Sequence, residues 1–240
     1  MEVAKLARSA RQAPDRLRSV IVAAGLLAGH AVAQAPPTLA EQARYTGLFA
    51  AAVRGDVNEI RTLIAKGGQS DPRDAYRRTP LHVAAYRSNT GAMRALVEAG
   101  ADPNALENDR YDIVTIAAVA NDMQALKTAL ALGCKATNVT SRYDGAALIA
   151  AAHLGHAEVV HELVRAGAPL DHVNKLGWTA LIEAIVLGDG GPRHVATLQV
   201  LVDAGASLGL ADRSGRSPLA LARSRAYGPM IRILEASGAR

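Results

Sequence analysis

Hydrophobic positions along the chain recur in a fixed order at a regular interval. One column holds an aliphatic residue in every period, at Leu48, Leu81, Val114, Leu148, Leu181 and Leu219. A second column holds a glycine at nearly even spacing, with a longer interval before the fifth, at Gly67, Gly100, Gly133, Gly167, Gly205 and Gly238. Two columns that share one period of roughly 33 residues predict a stack of similar structural units.

Each period has the sequence pattern of two short helices. In the second unit, Thr79 is placed to cap a helix N-terminus, and Pro80 follows at the first helical position, where a missing N–H costs nothing. In the first unit, the string DVNE at 56–59 predicts an acidic capping box that starts another helix. Gly67 then ends that helix, because a left-handed helix end suits glycine. The pattern predicts helix, turn, helix and a connecting loop.

The string TPLHVAA at 79–85, together with the period, resembles the ankyrin repeat. The resemblance extends from about residue 46 to the C-terminus. It implies an all-α solenoid of about six helix-turn-helix units joined by β-hairpin-like loops, because no unit can bury its apolar face alone. After a lead-in at 34–45, the expected units are 46–78, 79–111, 112–145, 146–178, 179–216 and 217–240.

Two units depart from the pattern. The third starts with Asp112 in place of Thr-Pro, and Ala129 replaces the leucine found in that column elsewhere. The sixth carries Glu235 where the other units have an apolar residue. A terminal repeat has one face without a neighbour, so a charge there is typical of a solubilising cap.

The charge balance argues against a nucleic-acid partner. The formal net charge of the chain is +5, but residues 1–33 carry five basic and two acidic residues. The rest of the chain has 22 basic and 20 acidic residues, which is not the basic surface that nucleic-acid binding requires.

The N-terminus has the layout of a secretory signal, predicted over residues 1–33. A basic segment precedes the apolar run SVIVAAGLLAGHAVA at 19–33, and Ala31–Ala33 has the small-x-small form of a cleavage site. The apolar run is shorter than the ~20 residues that span a bilayer. A mature protein starting at Gln34 would be periplasmic or secreted, with no membrane span. The alternative is a membrane-tethering or packed N-terminal helix.

The sequence contains no catalytic motif. His153, His156 and His161 lie near Glu158, which allows a metal-binding interpretation. Gly-His pairs such as 155–156 are structural in ankyrin repeats, so the resemblance favours a structural role. Cys134, the one cysteine of the chain, is expected to be a small buried residue. We therefore expect no enzymatic activity, no metal and no cofactor.

The loops that precede the units are enriched in aromatic and basic residues. Five of the eight aromatic residues of the chain lie in these loops. Tyr, Trp and Arg dominate the hot spots of protein interfaces. The alternative is that each loop packs its large residue against the next loop. The predicted partner-binding residues are Tyr45, Tyr76, Arg78, Tyr111, Tyr143, Lys175, Trp178 and Arg216.

The leading functional interpretation is a monomeric periplasmic protein-protein interaction module. It would bind a protein or peptide through its loops and inner helices, as repeat solenoids commonly do. One alternative is a support or protective factor for an envelope redox enzyme. Another is an immunity-type binder that neutralises a toxin, although the mixed to basic loops disfavour a basic toxin.

Overall fold

The computed structural model describes residues 36–240, so the predicted signal at 1–33 lies outside the described residues. Within this range the backbone forms thirteen α-helices. They are α1 (Leu39–Arg44), α2 (Gly47–Arg54), α3 (Val57–Ala65), α4 (Pro80–Tyr86), α5 (Thr90–Glu98), α6 (Ile113–Val119), α7 (Met123–Ala131), α8 (Ala147–Leu154), α9 (Ala157–Arg165), α10 (Ala180–Val186), α11 (Pro192–Asp203), α12 (Pro218–Ser224) and α13 (Gly228–Ala236).

After α1, the helices form six consecutive pairs arranged in two layers. The first helix of each pair contacts the first helix of the next pair; these helices form the first layer, α2, α4, α6, α8, α10 and α12. The second helices contact one another in the same way and form the second layer, α3, α5, α7, α9, α11 and α13. The predicted all-α solenoid is confirmed. Each pair falls inside one predicted unit, and the exact unit bounds stay a prediction.

The core lies between the two layers, and the first-layer helices are the more completely buried. Leu81, Leu148 and Leu181 are at most 1% exposed, as the apolar column predicts. Burying each such side chain contributes about 1.5–3 kcal/mol. Ala84 and Ala151, both fully buried, let neighbouring helices approach closely. This packing explains how a chain with 3% aromatic residues forms a continuous core.

Helix starts follow the capping signals in the sequence. The Thr79 hydroxyl accepts a hydrogen bond from the His82 N–H, with Pro80 at the first helical position. In the third unit the Asp112 carboxylate takes over this task and accepts the N–H of Thr115 at 2.8 Å. The third unit therefore keeps a capped first helix without a Thr-Pro pair.

His82 links a first-layer helix to the loop that leads to the next first-layer helix. Its Nδ1 lies 2.8 Å from the Thr79 hydroxyl, and its Nε2 donates to the carbonyl of Tyr111 at 3.2 Å. The ring is fully buried, and that burial lowers its pKa to about 4. Neutral imidazole therefore joins the start of α4 to the loop that precedes α6.

A second recurring hydrogen bond joins each turn to the preceding unit. The residue before the second helix of a pair, or in the fifth unit a residue of the first turn of α11, donates to a carbonyl at or just beyond the C-terminal end of the preceding first-layer helix, where carbonyls lack helical partners. Four units form it, through Asn89 to Ala52 and Val53, His156 to Ala118, His194 to His153, and Tyr227 to Gly188. These bonds fix the register between neighbouring units.

The lead-in at 34–45 includes a short helix that closes the N-terminal end of the stack. Thr38 caps α1, and the Glu41 carboxylate lies 2.7 Å from the guanidinium of Arg78. The hydrogen bond from the Thr38 backbone, followed by contact with Arg78, lowers the pKa of Glu41 to about 2. An ion pair across 37 residues thus holds α1 on the loop that precedes α4.

The extra residues of the fifth unit are divided between a loop and a longer helix. Helix α11 has twelve residues, whereas α9 has nine. In the loop, Gly190 has a φ of +71°, and a Cβ there would lie 2.5 Å from the Tyr227 ring. Glycine is required at this close approach to the sixth unit.

Candidate protein-binding surface

Five loops, here called fingers, join the units: finger one (74–78), two (107–111), three (140–145), four (174–178) and five (212–216). In four of them the N–H of the first residue donates to the carbonyl of the fifth at 3.0–3.1 Å. The side chain of that first residue accepts the N–H groups of the third and fifth residues. Side-chain acceptors of this kind stabilise tight turns, at Asp74, Glu107, Asn174 and Asp212.

Backbone hydrogen bonds tie fingers one to four into one row. Asn108 N–H donates to Tyr76 at 3.0 Å, Ser141 N–H to Arg110 at 3.1 Å, and Lys175 N–H to Tyr143 at 2.7 Å. An Arg213 side chain continues the row by donating to the Lys175 carbonyl. The fingers therefore form one pre-ordered edge of the molecule.

Charges at the finger tips pair with neighbouring fingers. Asp144 lies 2.8 Å from Arg110 and 3.1 Å from Lys175, and Arg142 pairs with Asp109. Lys175, together with Arg110, holds the pKa of Asp144 below its usual range. These pairs are exposed, so each adds little stability, but they align the fingers.

Two of the predicted partner-binding residues are buried, which corrects the expectation that they are surface anchors. Arg78 is 1% exposed and binds Asp74 at 2.7 Å, and Tyr111 is 7% exposed. Both occupy the fifth finger position, directly before the N-cap of a first-layer helix. In fingers one and two the side chain at that position turns into the stack, so Arg78 and Tyr111 offer little surface to a partner.

The other six predicted residues keep some exposure. Tyr76 is 48% exposed, and its ring lies 4.6 Å from the Arg78 guanidinium. Tyr45 is half-buried, stacks on Phe49 and donates to Asp74 at 2.6 Å, so it also helps to close the N-terminal end. Lys175 is exposed, and the remaining three are half-buried: Tyr143, Trp178 and Arg216.

The sequence prediction missed two exposed valines. Val139 and Val173 are 41% and 49% exposed, and each directly precedes a finger. They lie one repeat period apart, and Leu106 precedes finger two one period before Val139. An aliphatic residue recurring at the repeat period immediately before the fingers is the signal that could have found them.

The histidines considered for metal binding have structural contacts. His156 donates to Ala118 at 3.0 Å, and His153 lies 3.4 Å from Glu183. Across residues 36–240, no group of three or more His, Cys, Asp or Glu side chains is placed to hold a metal ion. Cys134 is buried, donates to the Pro103 carbonyl at 3.0 Å, and burial raises its pKa to about 12, so the thiol is unreactive. In the same range, no helix is long and apolar enough to cross a membrane.

Known proteins share this stack of helix pairs. A family model described as Ankyrin repeats (3 copies) matches residues 22–107 and 114–212. The chain belongs to the ankyrin repeat family. It is 33% identical to the ankyrin repeat protein YahD of Escherichia coli (strain K12) over 191 residues, which cover 79% of this chain and 94% of YahD.

Solved ankyrin repeat structures agree with the fold. An ankyrin repeat domain from Acinetobacter baumannii AYE has a TM-score of 0.76 and 39% identity, covering 80% of this chain and 98% of that domain. The ankyrin repeat protein EF0377 gives 0.73 and 29%, covering 80% and 98%. The ankyrin repeat domain of Bcl-3, an IkappaB family member, gives 0.73 and 30%, covering 82% and 88%. Ankyrin repeats are generally protein-protein interaction modules and are typically non-enzymatic.

Proposed function

We propose that this ankyrin repeat protein is a monomeric periplasmic module that binds a protein or peptide through its fingers and the adjoining first-layer helices. One observation carries the proposal. Among the described residues, four large hydrophobic side chains are exposed, and three of them lie in or directly before fingers: Tyr76, Val139 and Val173. Exposed apolar residues that recur along one edge are typical of an interaction site.

The rigidity of the finger row supports binding. Hydrogen bonds between successive fingers hold Tyr76 and Tyr143 by their backbones, so little ordering entropy is lost when a partner binds. Trp178 adds a half-buried aromatic surface whose indole N–H makes no hydrogen bond with the described residues. An indole with an unused donor is well suited to an interface.

The location rests on the sequence of residues 1–33. A basic start, an apolar run and the small-x-small motif at Ala31–Ala33 support export through the inner membrane of a bacterium. A periplasmic module would then meet envelope proteins or their exposed segments.

Finger variants test the binding role. The mature chain is immobilised, an envelope extract is passed over it, and the retained proteins are compared between the wild type and the double variant Val139→Ser/Val173→Ser. Both valines are exposed, so melting should be nearly unchanged, while retention of a specific partner should fall by about tenfold or more. Trp178→Ala should also weaken retention, with some loss of stability because its ring packs on the core.

The matched control is Leu39→Ser, which removes an 81% exposed hydrophobic residue away from the fingers. It should leave retention unchanged. Equal retention by the wild type and the double valine variant would refute the proposed surface.

A further inference from the structure

Finger two lacks a cation that fingers one and five have. In finger one the second oxygen of Asp74 binds the guanidinium of Arg78 at 2.7 Å. In finger five the second oxygen of Asp212 binds Arg216 at 2.6 Å. The fifth residue of finger two is Tyr111, which brings no positive charge to the carboxylate at the first position.

That carboxylate belongs to Glu107. Its Oε1 accepts the N–H groups of Asp109 and Tyr111 at 2.9 and 3.0 Å. Its Oε2 has no hydrogen bond or ion pair with the described residues, although Glu107 is only 7% exposed. In residues 36–240, Asp71 Oδ1 is the one side-chain nitrogen or oxygen that is both shielded from solvent and without a hydrogen bond. Glu107 Oε2, which also has no partner in that range, is therefore still reached by solvent.

Finger four shows how the same position is satisfied elsewhere. There Asn174 donates to Glu183 at 2.7 Å, and the other Glu183 oxygen lies 3.4 Å from His153. Two units earlier in the stack, at the junction of the second and third units, Ile116 holds the position of Glu183 and Tyr86 holds that of His153. Ile116 is fully buried and apolar, so it gives Glu107 no partner.

Tyr86 occupies the repeat position that His153 holds in the fourth unit. It ends α4, its hydroxyl makes no hydrogen bond with the described residues, and it is half-buried. By equivalence with Asn174, Glu183 and His153, which contact one another in turn, the repeat places Tyr86 near Glu107, with Ile116 between them. Burial raises the pKa of Tyr86, and the negative charge of Glu107 raises it further. A carboxylate oxygen and an aromatic ring together are the two features that attract a desolvated cation.

We infer that Glu107 and Tyr86 form a receptor site for a basic side chain, lysine or arginine, of a bound peptide. The inference rests on the proposed function, because it names the chemistry of one anchor on the same surface. The cation donates a hydrogen bond to Glu107 Oε2, while Oε1 keeps its hydrogen bonds from the N–H groups of Asp109 and Tyr111. The Arg78 guanidinium binds Asp74 and Glu41, each at 2.7 Å. Burial raises the pKa of Glu107, and the two backbone hydrogen bonds and the charge of Arg78 only partly offset this effect.

Short peptides test the site without the natural partner. The purified full-length protein is titrated with four acetylated, amidated tripeptides, Gly-Xaa-Gly, in which Xaa is arginine, lysine, citrulline or norleucine. Binding is followed by NMR at the amides of Asp109 and Tyr111, which Glu107 holds. The arginine and lysine peptides should bind about tenfold more tightly than the two neutral peptides.

Glu107→Gln is the decisive variant, because its amide oxygen can still accept both finger N–H groups while the charge is lost. It should melt like the wild type and lose the preference for cationic peptides. Glu158→Gln, an exposed charge on α9, should keep the preference.

The site is refuted if no cationic peptide binds at millimolar concentration, if citrulline binds as well as arginine, or if Glu107→Gln keeps the preference. None of these results touches Val139 or Val173, so failure of this site is distinguishable from failure of the finger surface as a whole.

Discussion

At the scale of single residues, His82 is the clearest case of a side chain whose chemistry the fold constrains. Both ring nitrogens are used inside the stack, and burial lowers the pKa to about 4 from an ordinary value of 6.5. Between these two values the unfolded chain binds the proton more readily than the folded chain. The stabilisation by His82 is therefore complete above pH 6.5 and is lost as the pH falls toward 4.

The free energy of unfolding of the wild type should accordingly fall by up to about 3 kcal/mol between pH 6.5 and pH 4 through this residue. Urea unfolding at several pH values measures it. The His82→Gln variant is less stable at neutral pH but should show a shallower decline. The two proteins share every other titrating group, so parallel curves would contradict the assignment.

Two tyrosines of neighbouring fingers should lose different amounts of stability on truncation. Tyr111→Ala removes a ring that is 7% exposed, and should lower the free energy of unfolding by about 3 kcal/mol. Tyr76→Ala removes a 48% exposed ring whose one aromatic contact is the Arg78 guanidinium, and should cost less than about 1 kcal/mol. Chemical denaturation of both variants tests the burial difference, and similar losses would refute it.

At the scale of helices and units, the third unit lacks two of the hydrogen bonds that link other units. Asp122 occupies the turn position of Asn89 and His156, but a carboxylate cannot donate, and it caps α7 instead.

The second missing bond is one that a side chain accepts from the next unit. Asp71, Asn104 and Asp171 each accept a backbone N–H of the following unit. Asn138 has the same position, but Pro169 has no N–H to offer, so Asn138 bonds to Asn104 and Asp112.

Restoring one of these links should stabilise the stack. Asp122→Asn keeps a capping residue and adds a donor that reaches toward the C-terminal carbonyls of α4, as Asn89 does for α2. We expect a gain of about 0.5–1.5 kcal/mol in the free energy of unfolding. The reverse exchange, Asn89→Asp, should destabilise by a similar amount. Loss of stability in Asp122→Asn would show that capping of α7 by the carboxylate matters more.

Local unfolding should be most frequent in the third unit, where these hydrogen bonds are missing. Because stability in a repeat array is roughly a sum of neighbour interactions, a unit with fewer links opens more readily. Amide hydrogen exchange should therefore be faster in α6 and α7 than in α4 and α5. Greater protection of the third unit than of the second would contradict this expectation, whatever the behaviour of the terminal units.

At the scale of the whole molecule, the array is closed differently at its two ends. At the N-terminal end, α1 is held by the ion pair between Glu41 and buried Arg78. At the C-terminal end, Glu235 is exposed and lies 2.7 Å from Arg223, as the polar substitution in the sixth unit predicts. Charged pairs therefore lie near both ends of the described array.

Export is the prediction that concerns the complete chain. If residues 1–33 are a secretory signal, the periplasmic protein should begin at Gln34, and intact-mass measurement of the fractionated protein would show it. Replacing Ala31 and Ala33 by Leu should block cleavage, because the peptidase site accepts small residues. Periplasmic protein that retains Met1 in the wild type would contradict the signal.

The sequence alone determined the period, the helix pairs and the membership of the ankyrin family. These depend on caps, prolines, glycines and apolar columns, whose effects act within a few residues of one another. It could not determine which finger residues face solvent. Arg78 is buried where it meets Glu41 of α1, which is 37 residues away in the sequence. Glu107 Oε2 has no hydrogen bond within the described residues because Tyr111 and Ile116 offer it no partner. Exposure and pairing depend on which units meet in space, so only the tertiary structure decided them.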